Sequence, residues 1–153
     1  MTMSMPSPAD TDSVAVLTGM YAAEAEYLAA GGPGEASFDA LAAFFAPDVE
    51  LHQAECLPYG GTWRGHGGLA RFFLAMAQTW ETFAMVEQEF LATGETAVVR
   101  TRVQARARVT GRELDFPILQ TITVRGGRIT EVRPFYWDTQ AIADACGEPA
   151  PRA

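Results

Sequence analysis

Apolar and polar positions alternate most cleanly between Leu114 and Asp138. Phe116, Ile118, Gln120, Ile122 and Val124 share one face of an extended chain, and Pro117, Leu119, Thr121 and Thr123 share the other. Arg125-Gly126-Gly127 then supplies residues that tolerate positive φ, as a tight hairpin turn requires. The returning arm, about Arg128 to Tyr136, ends in Phe135-Tyr136-Trp137 and closes on Asp138. Two residues break the pattern. Gln120 puts an amide in an apolar face, and Asp138 puts a carboxylate after an aromatic strand end. Such a wall suits a pocket for an apolar small molecule with a few polar anchors.

Upstream, alternation predicts two more strands, about Phe83 to Leu91 and Ala97 to Thr110, with turns at Thr93-Gly94-Glu95 and Thr110-Gly111-Arg112. Helical spacing takes over nearer the N-terminus. Val16, Leu17, Met20, Tyr21, Glu24, Tyr27 and Leu28 form one broad face, which predicts a helix from about Val14 to Ala30. Asp12 or Ser13 can cap it, and Gly31-Gly32-Pro33-Gly34 ends it. A second, short helix is predicted over Phe38 to Phe45 behind Ser37, then a short strand over Val49 to Gln53. A loop rich in Gly and Pro follows, and a third helix from about Leu69 to Trp80 has Leu69, Phe72, Phe73 and Met76 on its apolar side. After Asp138 a short helical turn is expected.

Helices gathered ahead of a meandering run of strands indicate an α+β fold. The expected form is a curved, mostly antiparallel sheet wrapped around an N-terminal helical layer, a cone with an open mouth. Residues 13–145 read as a single domain, with tails over 1–12 and 146–153.

The strand from Ala97 carries Arg100, Arg102, Gln104, Arg106 and Arg108 on one face and small apolar residues on the other. That face is either an anion site or a solvated or dimer-facing surface. Like charges in one row repel, so Glu, Asp or a partner chain is expected opposite them.

Charge narrows the function. The chain has 153 residues and a formal net charge of −8, which argues against nucleic acid or an anionic membrane as partner. No apolar run reaches the length of a membrane span, and the first residues lack the pattern of a signal peptide. Cys56 and Cys146 form neither a disulfide framework nor a metal-binding spacing, so a reducing cytoplasm is the default.

Three stretches together resemble a known superfamily: FDALAAFFAPDVELHQ, LPYGGTWRGHGGLARFF and GGRITEVRPFYWD. They look like the SnoaL-like polyketide cyclase and ketosteroid isomerase branch of the nuclear transport factor 2-like superfamily. The resemblance implies a cystatin-like cone, a hydrophobic pocket, a homodimer and no cofactor or metal. It places His52 where the isomerases carry their catalytic base. A neutral imidazole there can take a proton next to a carbonyl. Gln120 falls at the position of the isomerases' protonated acid, where its amide can donate to an enolate oxygen, and Asp138 is placed to act as base or to orient His52.

Around this catalytic set of His52, Asp138 and Gln120, the expected substrate-binding residues are Tyr21, Glu24, Glu55, Tyr59, Trp63, Phe116, Ile118 and Tyr136. Tyr59 and Trp63 would form a lid. The departures from the isomerase pattern at His52 and Gln120 count against steroid isomerisation itself. The absence of any Asn counts against an epoxide hydrolase of the limonene type. The expectation is an isomerase, cyclase or dehydratase acting on an apolar carbonyl compound. A non-catalytic binder and an interaction module using the Arg row are its rivals.

Overall fold

The computed structural model describes residues 8–147, with side-chain environments from Ser13 onward. Its chain order is α1 (Pro8–Ala29), α2 (Asp39–Ala42), β1 (Phe45–Gln53), β2 (Gly61–Arg64), α3 (Gly65–Thr79), β3 (Trp80–Thr93), β4 (Thr96–Ala107), β5 (Glu113–Arg125), β6 (Arg128–Tyr136) and α4 (Thr139–Cys146). The six strands form one sheet in the order β2-β1-β6-β5-β4-β3. The β1–β6 pair is parallel and the others are antiparallel. This is the expected α+β cone.

Helix α1 starts earlier than expected. Pro8 suits a first helical turn because the N–H it lacks has no partner there, so residues 8–12 are helix and not tail. Of the tails expected over 1–12 and 146–153, residues 1–7 and 148–153 lie outside the described residues, and Cys146 is the last residue of α4. At its other end the Gly31 N–H bonds to Leu28 O and the Gly32 N–H to Tyr27 O, with φ of 113° and 64° at the two glycines. These left-handed residues stop the helix. The second helix keeps only Asp39–Ala42, because Phe45 is already paired into β1. The central loop contains β2, which pairs with β1 from Gln53↔Gly61 to Glu50↔Arg64. Alternation over so short a segment is too weak to predict a strand.

The β5–β6 hairpin matches its sequence pattern. Gly126 and Gly127 both have positive φ between the paired Arg125 and Arg128, as a two-residue turn of the primed type requires. The inward face of β5 holds Phe116, Ile118, Gln120, Ile122 and Val124, and the inward face of β4 holds Ala97, Val99, Thr101, Val103, Ala105 and Ala107. Leu17, Met20 and Tyr27 of α1 and Leu69 and Phe72 of α3 complete the core. Aromatic rings run from Tyr27 through Phe73 and Phe72 to Tyr59, Tyr136, Phe116 and Trp80.

The outward arginines of β4 are neutralised by their neighbours. Arg100 pairs with Glu89, its register partner on β3. Arg102 bonds to Asp115 with two nitrogens, at 2.9 and 2.7 Å, and to Glu87 at 3.2 Å. Arg106 sits 3.3 Å from both Glu81 and Glu113. The acids expected opposite the row come from β3 and β5 of the same chain. Arg108 instead donates to the carbonyl oxygens of Ala77 and Trp80 at the end of α3. The row is thus occupied within the chain, which weakens the interaction-module reading.

Candidate active site

Between the helices and the inner face of the sheet lies a cavity of about 320 Å³. That lies within the range of small-molecule sites. Its wall is mostly apolar, with Met20, Phe45, Leu51, Phe73, Phe83 and Ile118 among the lining residues. Leu28, Ala77, Glu81 and Arg108 are its exposed members and mark the solvent-facing end. Tyr21, Glu24 and Leu28 follow one another at i, i+3 and i+7 on α1, which brings all three to the cavity.

Two polar groups of residues stand in this wall. In the first, Gln120 Nε2 donates to the Tyr21 hydroxyl oxygen at 3.3 Å, which leaves the Tyr21 O–H free to donate. Burial, and then the nearby Glu24 carboxylate, push the Tyr21 phenol well above its ordinary value. Glu24 is pushed up to about 7 by burial alone. An ordinary carboxyl ionises fully below neutrality, whereas this one exchanges its proton near pH 7.

In the second, the Tyr59 hydroxyl donates to that of Tyr136 at 3.2 Å. Burial raises both phenols, that of Tyr59 to about 12. Gln53 Oε1 and Trp80 Nε1 are buried there without a hydrogen-bond partner, and both residues line the cavity. The Trp80 N–H lies near enough to Tyr59 to favour its ionised form slightly, but not in hydrogen-bonding geometry. One acceptor and one donor are therefore open at this end. Gln120 faces Pro134 and Ile118 faces Tyr136 in the β5–β6 register. The two polar groups are thus one side-chain repeat apart along the sheet, about 7 Å.

The expected catalytic set is not assembled. His52 points away from the cavity. Along the second half of β1, Val49, Leu51 and Gln53 are buried in alternation, so His52 and Glu50 belong to the outer face. One step of strand register reverses a side chain's direction, and the inward polar residue is Gln53. Asp138 is exposed and caps α4, its Oδ1 accepting from the Ala141 N–H at 2.9 Å. The parity shared by Tyr136 and Asp138 ends with the strand at Tyr136. Of the three, Gln120 alone reaches the cavity.

The binding set divides similarly. Tyr21, Glu24, Ile118 and Tyr136 line the cavity. Tyr59 is buried behind Tyr136, and Phe116 packs between Trp80 and Tyr136. Trp63 is no lid. It belongs to β2, donates from Nε1 to Tyr59 O at 3.0 Å and packs on Phe72. Glu55 is exposed on the loop. His66, expected in the loop, lies in the first turn of α3 and bonds to Phe45 O at 2.9 Å.

A six-stranded α+β cone that closes helices over an apolar, polar-studded cavity defines the nuclear transport factor 2-like class. Within it, the chain belongs to the SnoaL-like domain family, which matches residues 25–132. No curated protein matches the chain in sequence. Among solved structures, an NTF2-like protein of Burkholderia xenovorans LB400 is similar at 26% identity and a TM-score of 0.79, covering 92% of this chain and 100% of that one. An NTF2-like protein of unknown function from Burkholderia pseudomallei K96243 is 21% identical at a TM-score of 0.76, covering 90% and 98%. TerC co-crystallised with polyporic acid is 20% identical at a TM-score of 0.73, covering 88% and 98%. The likeness to these last two is one of fold. Among the described residues no helix is long and apolar enough to cross a membrane.

Proposed function

We propose that this protein is an acid–base enzyme of the SnoaL-like type that moves a proton on a small, mostly apolar carbonyl compound, with Glu24 as the titrating group. The observation that carries this reading is a carboxyl on the wall of an apolar cavity with its pKa raised to about 7. In the proposed step, the Glu24 carboxylate takes a proton from the carbon beside the carbonyl. The electron pair moves to the carbonyl oxygen, which accepts from the Tyr21 O–H while Gln120 holds Tyr21 in place. The protonated Glu24 then returns its proton to the same carbon or to a neighbouring one. Gln53 and Trp80 receive a hydroxyl and a carbonyl at the far end of the substrate. That TerC, which shares this fold, was co-crystallised with polyporic acid is in keeping with a small organic ligand.

The test is native mass spectrometry of gently purified wild type and Glu24→Gln, followed by incubation of the retained compound in D₂O. Wild type is expected to incorporate deuterium next to the carbonyl, and Glu24→Gln to bind the same compound without incorporation. Retention with no exchange by wild type would instead favour a non-catalytic binder. That reading has its own support, since Glu24 has no hydrogen-bonded partner to orient it among the described residues.

We assign the expected homodimer contact to the outer sheet face. There Leu119 and Phe135 are exposed cross-strand partners, beside Trp137 at 83% exposure. Light scattering is expected to give twice the chain mass, and Leu119→Glu with Phe135→Glu the mass of one chain.

A further inference from the structure

On the outer face of the sheet, His52 is surrounded by groups that a catalytic base would not need. Glu50 and His52 are two apart on β1, and Glu131 is the register partner of Glu50 on β6. All three side chains therefore emerge on one face. Two carboxylates placed as direct cross-strand partners repel each other. His52 Nε2 points between them at 3.6 Å from Glu50 Oε1 and 3.8 Å from Glu131 Oε2, and it is buried without a hydrogen-bond partner. We propose that Glu50, His52 and Glu131 form a site for a divalent transition-metal cation, zinc being the best match to the donor set.

The distances favour an ion over direct contact. They are too long for hydrogen bonds. The three ligating atoms nevertheless lie within 4.8 Å of one another. Ligands at about 2.0–2.2 Å from a tetrahedral zinc stand roughly 3.3–3.6 Å apart, so a small inward movement of the two carboxylates closes the site. A proton on Nε2 would face the same oxygens from beyond hydrogen-bonding reach, whereas an ion between them meets all three. One imidazole and two carboxylates suit zinc or a neighbouring first-row ion better than calcium, which takes oxygen alone.

The surroundings hold the ligands in place. Nδ1 of His52 is 3.1 Å from Oγ1 of Thr62, its register partner on β2. With Nδ1–H donating to that oxygen, Nε2 presents its lone pair to the ion. Arg64 Nε donates to Glu50 Oε2 at 2.9 Å, and Arg133 lies 3.8 Å from Glu131 Oε1. Arg64 therefore holds the far oxygen of Glu50, the charge of Arg133 stands beside the far oxygen of Glu131, and the near oxygen of each carboxylate is turned to His52. Such outer partners fix ligand orientation. Glu50 and Glu131 are 39% and 42% exposed, so water completes the coordination. The site faces away from the cavity and joins β1 to β6, the parallel pair of the sheet. Its effect is on stability, not on cavity chemistry.

The test uses the full chain without a purification tag, stripped with chelator and titrated with zinc chloride by calorimetry and thermal melting. One zinc per chain and a rise in Tm are expected. His52→Ala is expected to abolish both, Glu131→Gln to weaken binding at least tenfold, and Thr62→Val to weaken it by about 10–100-fold. Cobalt(II) should give visible absorption bands in wild type that disappear in Glu131→Gln, which serves as the reading if His52→Ala fails to fold. His66→Gln and Cys56→Ser should bind as wild type does. Zinc uptake unchanged by Glu131→Gln, or no uptake at about 1 mM zinc, would overturn the proposal.

Discussion

Gln120 Nε2 donates to the Tyr21 hydroxyl at 3.3 Å, across 99 residues of sequence. This contact ties the cavity face of α1 to the middle of β5 and occupies the acceptor side of the phenol. Tyr21 lines an apolar cavity, where a hydrogen bond from its O–H to a developing oxyanion would be worth more than in water. Tyr21→Phe is expected to lower turnover of the retained compound by about 100-fold, with a smaller loss in Gln120→Leu. The double variant should lose less than the sum, because both act on one oxygen. Steady-state kinetics on the four proteins measures this, and full additivity would separate the two roles.

Glu24 makes stability depend on pH in a defined direction. Its pKa rises from the ordinary 4.5 to about 7 on folding. The folded chain therefore holds a proton that the unfolded chain releases between those values, and stability falls as pH rises through this window. Below pH 4.5 both states are protonated and the penalty is absent. Above 7 it is complete, at most about 3 kcal/mol. Glu24→Gln should match wild type near pH 4 and be more stable at pH 8, as read by denaturant melts across that range. If Glu24 is the base, wild-type turnover rises through pH 7.

Gln53 opposes stability to binding. Its buried Oε1 has no partner. Gln53→Leu removes an acceptor whose desolvation costs about 1–3 kcal/mol, so the ligand-free protein should melt higher. The same change should weaken the cavity ligand by about tenfold, the worth of one hydrogen bond. Calorimetry of binding beside thermal melts tests both halves, and a gain in affinity would remove Gln53 from the site.

Asp138 is expected to act on the fold and not on the chemistry. Its side chain caps α4 through the Ala141 N–H. Asp138→Ala should lower stability by about 1 kcal/mol and leave turnover unchanged. A loss of kcat at unchanged stability would restore it to the catalytic set.

Strand parity and helical periodicity carried most of the architecture. Strand β6 runs from Arg128 to Tyr136 as its alternation implies, and the inward face of β5 is the one its apolar residues mark. That Tyr21, Glu24 and Gln120 each face inward also follows from local pattern, because i, i+3 spacing on a helix and alternation on a strand each specify a face. Gln53 was legible by the same rule, since it shares parity with Val49 and Leu51. The resemblance that places His52 at a catalytic position runs against that parity, and a one-residue offset in a strand turns the side chain to the opposite surface.

The class of fold, the turns and the apolar faces are legible along the chain, because these depend on neighbours a few residues away. Which polar groups meet depends on how the packed elements converge. The Glu24 carboxyl is raised by burial that helix α1 acquires only when packed against the sheet. Trp80 enters the cavity from a helix–strand junction that has no periodic signal. Glu131 reaches His52 through the parallel pairing of the first strand with the last. Desolvation and convergence of charge are properties of the assembled chain, and no local spacing encodes them.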